Sequence, residues 1–472
     1  MKALSELYNR IIQRVNINLR EFNFDVEPFI HNLVPFDQLA KVHGFYAVTA
    51  QHPLDFQFRH SNLAGSYLLG KCRTTNSILY KSDIRGDELK KKGSIFHCDN
   101  FKIPLTKEEG IRIENSFLIK TLVHNYSHDP ESPERFSISN TVSTHYANIH
   151  GSPTDGSFLG PFATVDLSTI NDCVIGAFSY VQAGEINHFH IDPGTVWVRS
   201  PGDFNFLFRY PADILGRYIQ FRPGSQPDGI LIDFVNDHKN AFERIFETVN
   251  IKSSIAVPPN ASLDRFAVVQ PKLSIEDNVL VAQRSFLQNS HLGRGANAQE
   301  NCFIINSFLK GFNVTAHGAK LINVDLEEMV FVGFNSFLRG NSCRLGIGRD
   351  CIIMPHTIID IQESLLIPAG CLVWGSVTCQ ADLETNSIPL KTLEKLEDGF
   401  SRKNLVFEGN GKKFVSAFQN RIQHILEANG AFYNGKDHKG HAQKNQNISF
   451  NIIQPYSEGE KEGVYPTIII RP

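Results

Sequence analysis

Val257–Asn289 reads VPPNASLDRFAVVQPKLSIEDNVLVAQRSFLQN, and the spacing within it decides the fold. From Val257 an aliphatic residue recurs at every sixth place, at Leu263, Val269, Ile275, Val281 and Leu287. A second inward-type residue follows four places after each, at Ala261, Ala267, Leu273, Val279 and Ser285. The place between them holds Pro259, Arg265, Pro271, Asp277, Gln283 and Asn289, none of them apolar. A continuous strand with one buried face would fill that place with Val or Ile. The chain must instead turn a corner once per hexad, coiling as a parallel β-helix.

The beat weakens at Gly293 and Gln299 and resumes at Phe308, Val314, Lys320, Leu326, Val332 and Leu338, with Lys320 the one misfit. Ile322 and Phe334 fall on corner places, where they are expected to meet a neighbouring surface. After Arg344 to Gly346 the pattern returns at Ile347, Ile353 and Ile359 and ends at Ile367 and Val373. Segments such as VGFNSFLRG, IGRDCIIMPHTII and IPAGCLVWG resemble the hexapeptide repeat of the left-handed β-helix acyltransferases. The resemblance implies three hexads per triangular coil, so that residues eighteen apart stack, and it implies the left hand, which spacing alone does not fix.

Composition sets the remaining bounds. The 472 residues leave room for two or three subdomains around a sizeable core. A formal net charge of -3 without a long basic run gives no electrostatic reason to expect nucleic acid. Eight cysteines at irregular spacing, with Cys351 and Cys371 on small inward places, favour a reducing compartment. No apolar run approaches the roughly 18 residues that span a bilayer, and the opening MKALSELYNRIIQRVNINLR lacks a signal-peptide core. The expectation is a cytoplasmic protein with no membrane span.

Along the chain, Leu4, Leu7, Ile11, Ile12 and Val15 mark an amphipathic helix, expected to cap one end of the coil. Weaker hexads at Leu63, Leu69, Ile113, Ile119, Leu159, Val165, Ile175 and Val181 outline a looser first coil. From Ile186 the repeat stops, and NHFHIDPGTVWVRSPGDFNFLFRYP reads as aromatic strands between Pro-Gly turns. Beyond Val377 an apolar stripe at Phe414, Val415, Phe418, Ile422, Ile425 and Leu426 marks a helix stopped at Gly430, and PTIIIRP closes the chain as a strand. The expected fold is mainly β: a left-handed parallel β-helix in two coil segments, with an inserted α+β module and terminal helices. Its expected domains are a capping region over 1–62, an irregular coil over 63–185, an insertion over 186–254, a regular coil over 255–380 and a helical extension over 381–472.

Eighteen histidines offer many chemical candidates. His317, in NVTAHGAKL, lies on an outward place; Asn335 and His356 match it in later coils, so the three are expected to form one exposed column. At about 4.8 Å per coil the two imidazoles stand nearly 10 Å apart, whereas ligands of one zinc lie within about 4 Å, which argues against a shared metal. One imidazole can instead act as general base, its pKa of about 6.5 suiting proton transfer near neutrality. Ala316-His317-Gly318 resembles the catalytic neighbourhood of the hexapeptide acyltransferases. That resemblance implies a histidine in a cleft between subunits of a homotrimer, deprotonating an acceptor as it attacks an acyl-CoA or acyl-carrier-protein thioester. Backbone N–H groups of the turns would stabilise the oxyanion, and Trp374 would either flank a pantetheine arm or cap the stack. The bland alternative is a polar ladder that caps turns.

A second constellation is STHYANIHG, with His145 and His150 five apart. It resembles the zinc-ligand pattern of gamma-class carbonic anhydrases, where an upstream histidine one coil earlier supplies the third ligand. His128, seventeen residues before His145, is the candidate; His124 follows the apolar run LIKTLV as that ligand does, but stands four residues farther back. Zinc held by His128, His145 and His150 would leave an open position for water. Three readings follow: acyl transfer to a hydroxyl or amine of a small acceptor such as a sugar; a zinc hydratase; and a non-catalytic binding or assembly protein.

Overall fold

The computed structural model describes residues 2–40, 43–48, 55–86, 88–98, 101–125, 136–246, 255–444, 449–453, 463–464 and 467–470. The chain divides into two compact units, one of residues 1–195, 216–232 and 448–472, the other of residues 196–215 and 233–447. Each contains a left-handed parallel β-helix of stacked three-sided coils.

In the second unit the quoted stretch supplies the first coils. Ser262 pairs with Leu280 eighteen residues on, but Leu280 pairs with Asn297 and Asn297 with Val314, seventeen on. The inward residues therefore run Val281, Leu287, Leu292, Ala298, Ile304 and Leu309, with one corner per coil a residue short of a hexad. This shift corrects the strict six-residue count. Phe308 points outward and is 44 % exposed, while Leu309 fills the core behind it. Lys320 ceases to be a misfit: Leu321 is the inward residue and Lys320 faces out of the sheet between Phe303 and Phe337 of adjoining coils. The later coils are longer, since Phe331 pairs with Ile352 and Ile352 with Leu372, the extra residues lying at corners such as Asn341–Arg344. Cys351 and Cys371 take inward places as compact apolar groups.

The helix Gly411–Asn429 lies along this coil, with Phe418 against Phe331. Asn410 caps its start by accepting from the Lys413 N–H at 2.9 Å, and Gly430 ends it at φ 79°, a left-handed conformation suited to glycine. Strands Phe204–Arg209 and Leu405–Gly409 pair antiparallel, so the aromatic stretch expected as an insertion is partly sheet of this unit.

Coils of the first unit are shorter still. Val142, Phe158, Val174 and His190 pair in succession at sixteen-residue steps. The repeat does not stop at Ile186: Glu185–Asn187 pairs with Thr169–Asn171, and Ile186 and Ile191 remain inward. The helix Lys2–Leu19 does not cap an end of the stack. It buries Leu4, Leu7, Ile11 and Val15 against a flat side whose outward residues, Ile78, Phe117, Val142, Phe158 and Val174, are apolar. Strands apolar on both faces require such a cover. Ile468–Ile470 adds antiparallel to Phe56–Arg59 at another sheet edge.

Candidate functional site

In the second unit the corner Ala316–Ala319 joins strands Val314–Thr315 and Lys320–Ile322. Because the coil here is seventeen residues, Gly318 N–H donates to Glu300 O and Asn335 N–H to His317 O, at 2.9 and 3.0 Å. His317 is therefore stacked between Glu300 and Phe334, not between positions eighteen away. Asn335 and His356 belong to the next column, the one containing Gly318, so the expected single column of His317, Asn335 and His356 is corrected by one place. The same bonds commit the Gly318 and Asn335 N–H groups to the coil, which removes them as oxyanion donors.

His317 is not on an exposed ridge; it is 1 % exposed. Its Nδ1 lies 2.8 Å from Glu300 Oε2, and its ring packs 5.2 Å from that of Phe334. The contact places the Glu300 carboxylate beside the Nδ1 edge of the ring. Arg421 of the Gly411–Asn429 helix lies 5.9 Å over Phe334, giving that corner residue the neighbouring surface expected for it. Gly318 holds φ +74°, and a Cβ there would stand 2.2 Å from Asn335 Oδ1. Lys320 Nζ donates to Gly318 O at 2.6 Å, and burial lowers its pKa to about 8. His356 is fully buried, its carbonyl 2.7 Å from the Tyr210 hydroxyl, which is also 2.8 Å from Gly375 O. Trp374 is 1 % exposed, its ring 6.3 Å from those of Phe206 and Phe400 and with Arg402 6.0 Å over it. It is a packing residue, with no open face for a pantetheine arm.

In the first unit one side of the coil stacks strands Asp83–Arg85, Leu122–His124, Asn148–His150, Thr164–Asp166 and Tyr180–Gln182 in parallel. The middle residues Ile84, Val123, Ile149, Val165 and Val181 are all buried inward. Alternation then turns Arg85, His124, His150 and Asp166 outward in one column, yet all four are buried. His150 Nδ1 lies 2.8 Å from Asp166 Oδ1, and the Tyr180 hydroxyl donates to Asp166 Oδ2 and lies 3.0 Å from Gln182 Oε1. The His124 and His150 ring centroids are 5.1 Å apart with planes at 77°, and Glu88 Oε2 is 3.6 Å from His124 Nε2.

Of the histidines read as zinc ligands, His128 lies outside the described residues. His145 sits on the corner beside Tyr146, in a different column from His150. Burial above all, and then the Lys120 charge, hold its pKa well below the usual histidine range, so it is neutral. The residue stacked on His150 is His124, since their strands pair directly although more than one coil of chain separates them. The legible signal was the matching run before each: LIKTLV before His124 and YANI before His150. His188 occupies a left-handed corner, stacked at 4.3 Å on Phe22.

Stacked three-sided coils with polar side chains set at their corners define the class of hexapeptide β-helix proteins. A family model described as hexapeptide repeat including loop matches residues 101–223. A crystal structure described as a "putative acetyltransferase" from Desulfovibrio desulfuricans G20 is 49 % identical, covers 100 % of this chain and 99 % of its own, and superposes with a TM-score of 0.92. The chain belongs to the hexapeptide-repeat acyltransferase superfamily. A hexapeptide transferase family protein from Anaplasma phagocytophilum is 12 % identical over 34 % of this chain and 90 % of its own, at a TM-score of 0.20, and carries no weight here. No curated protein matches the chain. Among the described residues no helix is long and apolar enough to cross a membrane.

Proposed function

We propose that the protein is an acyltransferase, moving an acyl group from a CoA or carrier-protein thioester to a hydroxyl or amine of a small acceptor, with His317 as general base. The observation that carries this reading is the 2.8 Å contact between His317 Nδ1 and Glu300. A carboxylate beside a buried imidazole stabilises the charge that forms when the ring takes a proton. In the step proposed, Nε2 accepts the acceptor's proton as its oxygen or nitrogen attacks the thioester carbonyl. The C–S bond then breaks and the leaving thiolate takes the proton from the imidazolium. The Asn335 N–H donates to His317 O and ties the turn that carries His317 to the next coil, where the His356 carbonyl accepts from Tyr210. The relative from Desulfovibrio desulfuricans favours an acetyl donor such as acetyl-CoA. The proposed assembly is a homotrimer and the proposed compartment the cytoplasm.

The test is thiol release from acetyl-CoA by the full chain against a panel of sugar and amine acceptors. His317→Ala should lower kcat by about 10²–10⁴-fold, the range of general-base contributions. Glu300→Gln should lower kcat less and shift its acidic pH limb. Absence of both CoA binding and thiol release with every acceptor, or full activity in His317→Ala, would overturn the assignment and favour a non-catalytic binding protein.

A further inference from the structure

The acyl-transfer reading makes no use of the two histidines stacked in the first unit. His124 and His150 lie on adjacent, directly paired strands, and each offers a ring nitrogen within 4.8 Å of the other's. Nitrogens sharing a tetrahedral zinc at bonds of about 2.0 Å stand roughly 3.3 Å apart. Both rings are buried on a coil side where a strand-facing residue would ordinarily be polar and solvated, and neither is an apolar packing group.

What lies behind the rings points the same way. Asp166 accepts from His150 Nδ1, which leaves Nε2 as the ring's electron-pair donor, and Tyr180, fully buried, donates to the second oxygen of Asp166. A carboxylate behind a ligating imidazole fixes its tautomer and raises its basicity, the arrangement that recurs around metal-bound histidines. Glu88, 3.6 Å from His124 Nε2, adds negative charge beside the pair. Two imidazoles with carboxylates behind and beside them suit a borderline dication such as zinc or cobalt better than magnesium or calcium, which take oxygen ligands.

We propose that His124 and His150 bind a divalent transition-metal ion of the zinc class, with Asp166 and Tyr180 as positioning residues for His150. Two imidazoles alone do not complete a tetrahedral zinc shell, so further ligands are required. Metal uptake is read without CoA turnover, so its test does not depend on the acyltransferase assay.

The full chain, stripped with a chelator and desalted, is titrated with Zn(II) by calorimetry and with Co(II) by visible absorption, with metal content measured by plasma mass spectrometry. Wild type should bind one ion per chain and give the intense visible bands of tetrahedral Co(II). His124→Gln and His150→Gln should each lose the bands while keeping wild-type circular dichroism. Asp166→Asn should keep the fold and bind zinc 10–100-fold more weakly, the usual effect of removing such a partner. Wild type that takes up neither ion overturns the proposal, as does unchanged uptake in a folded His124→Gln, His150→Gln double variant. Loss of the ion in His145→Ala but not in His124→Gln would overturn this pair in favour of a different ligand set.

Discussion

Lys320 carries an amine into an almost water-free place, with Phe303 and Phe337 on either side and the Gly318 carbonyl as acceptor. Desolvation lowers its pKa from 10.5 to about 8, so the folded protein disfavours the charged form relative to the unfolded chain. The cost is fully present below about pH 8, declines as pH rises toward 10.5, and is absent above that. Lys320→Met is therefore expected to stabilise the protein at pH 7 by up to about 3 kcal/mol, with the gain in Tm shrinking when the melt is repeated near pH 10. An equal or larger gain at the higher pH would contradict this account. The sequence marked Lys320 as anomalous for a core place, and the anomaly was informative: it exposed a count that was one residue out. His317 was legible as a candidate, but its partner Glu300 was not, because a seventeen-residue coil stacks different side chains from an eighteen-residue one.

At the scale of elements, the opening helix illustrates what periodicity does and does not reveal. Leu4, Leu7, Ile11 and Val15 fix the helix and its apolar face from spacing alone. Where that face docks depends on the outward residues of strands such as Phe117–Ile119 and Phe158–Leu159, which are too short for alternation to be read. Ile11 is 1 % exposed in that contact. Ile11→Asp places an unpaired carboxylate there and should destabilise the protein by about 3 kcal/mol or more, seen as a lower denaturation midpoint and increased dye binding to the uncovered sheet. A midpoint unchanged from wild type would show that the helix contributes little. Similarly, His124 escaped the count because the chain between it and His150 is longer than a coil, and only the strand pairing brings them together.

For the whole molecule, the repeat in 257–377 was sufficient to establish the coil, since corner residues every sixth place have no counterpart in flat sheets. The division into two units was less legible, because the chain crosses between them more than once and composition does not change where it does so. Assembly is a property of this scale. With a chain mass of 53.1 kDa, the proposed trimer should elute and scatter light at about three times that value, and a monomer at micromolar concentration would remove the intersubunit cleft from the mechanism.

The uneven coil lengths have a consequence for how such a chain can change. Where the count varies, it varies at corners: one residue is missing after Leu287 and after Ile304, and several are added around Asn341–Arg344, while the strands on either side keep their pairing. A residue gained inside a strand would reverse every side chain after it, but one gained at a corner only widens a bend. Corners are thus the natural points for grafting peptides or reporter loops, and the bend at 341–344 already accommodates such an enlargement.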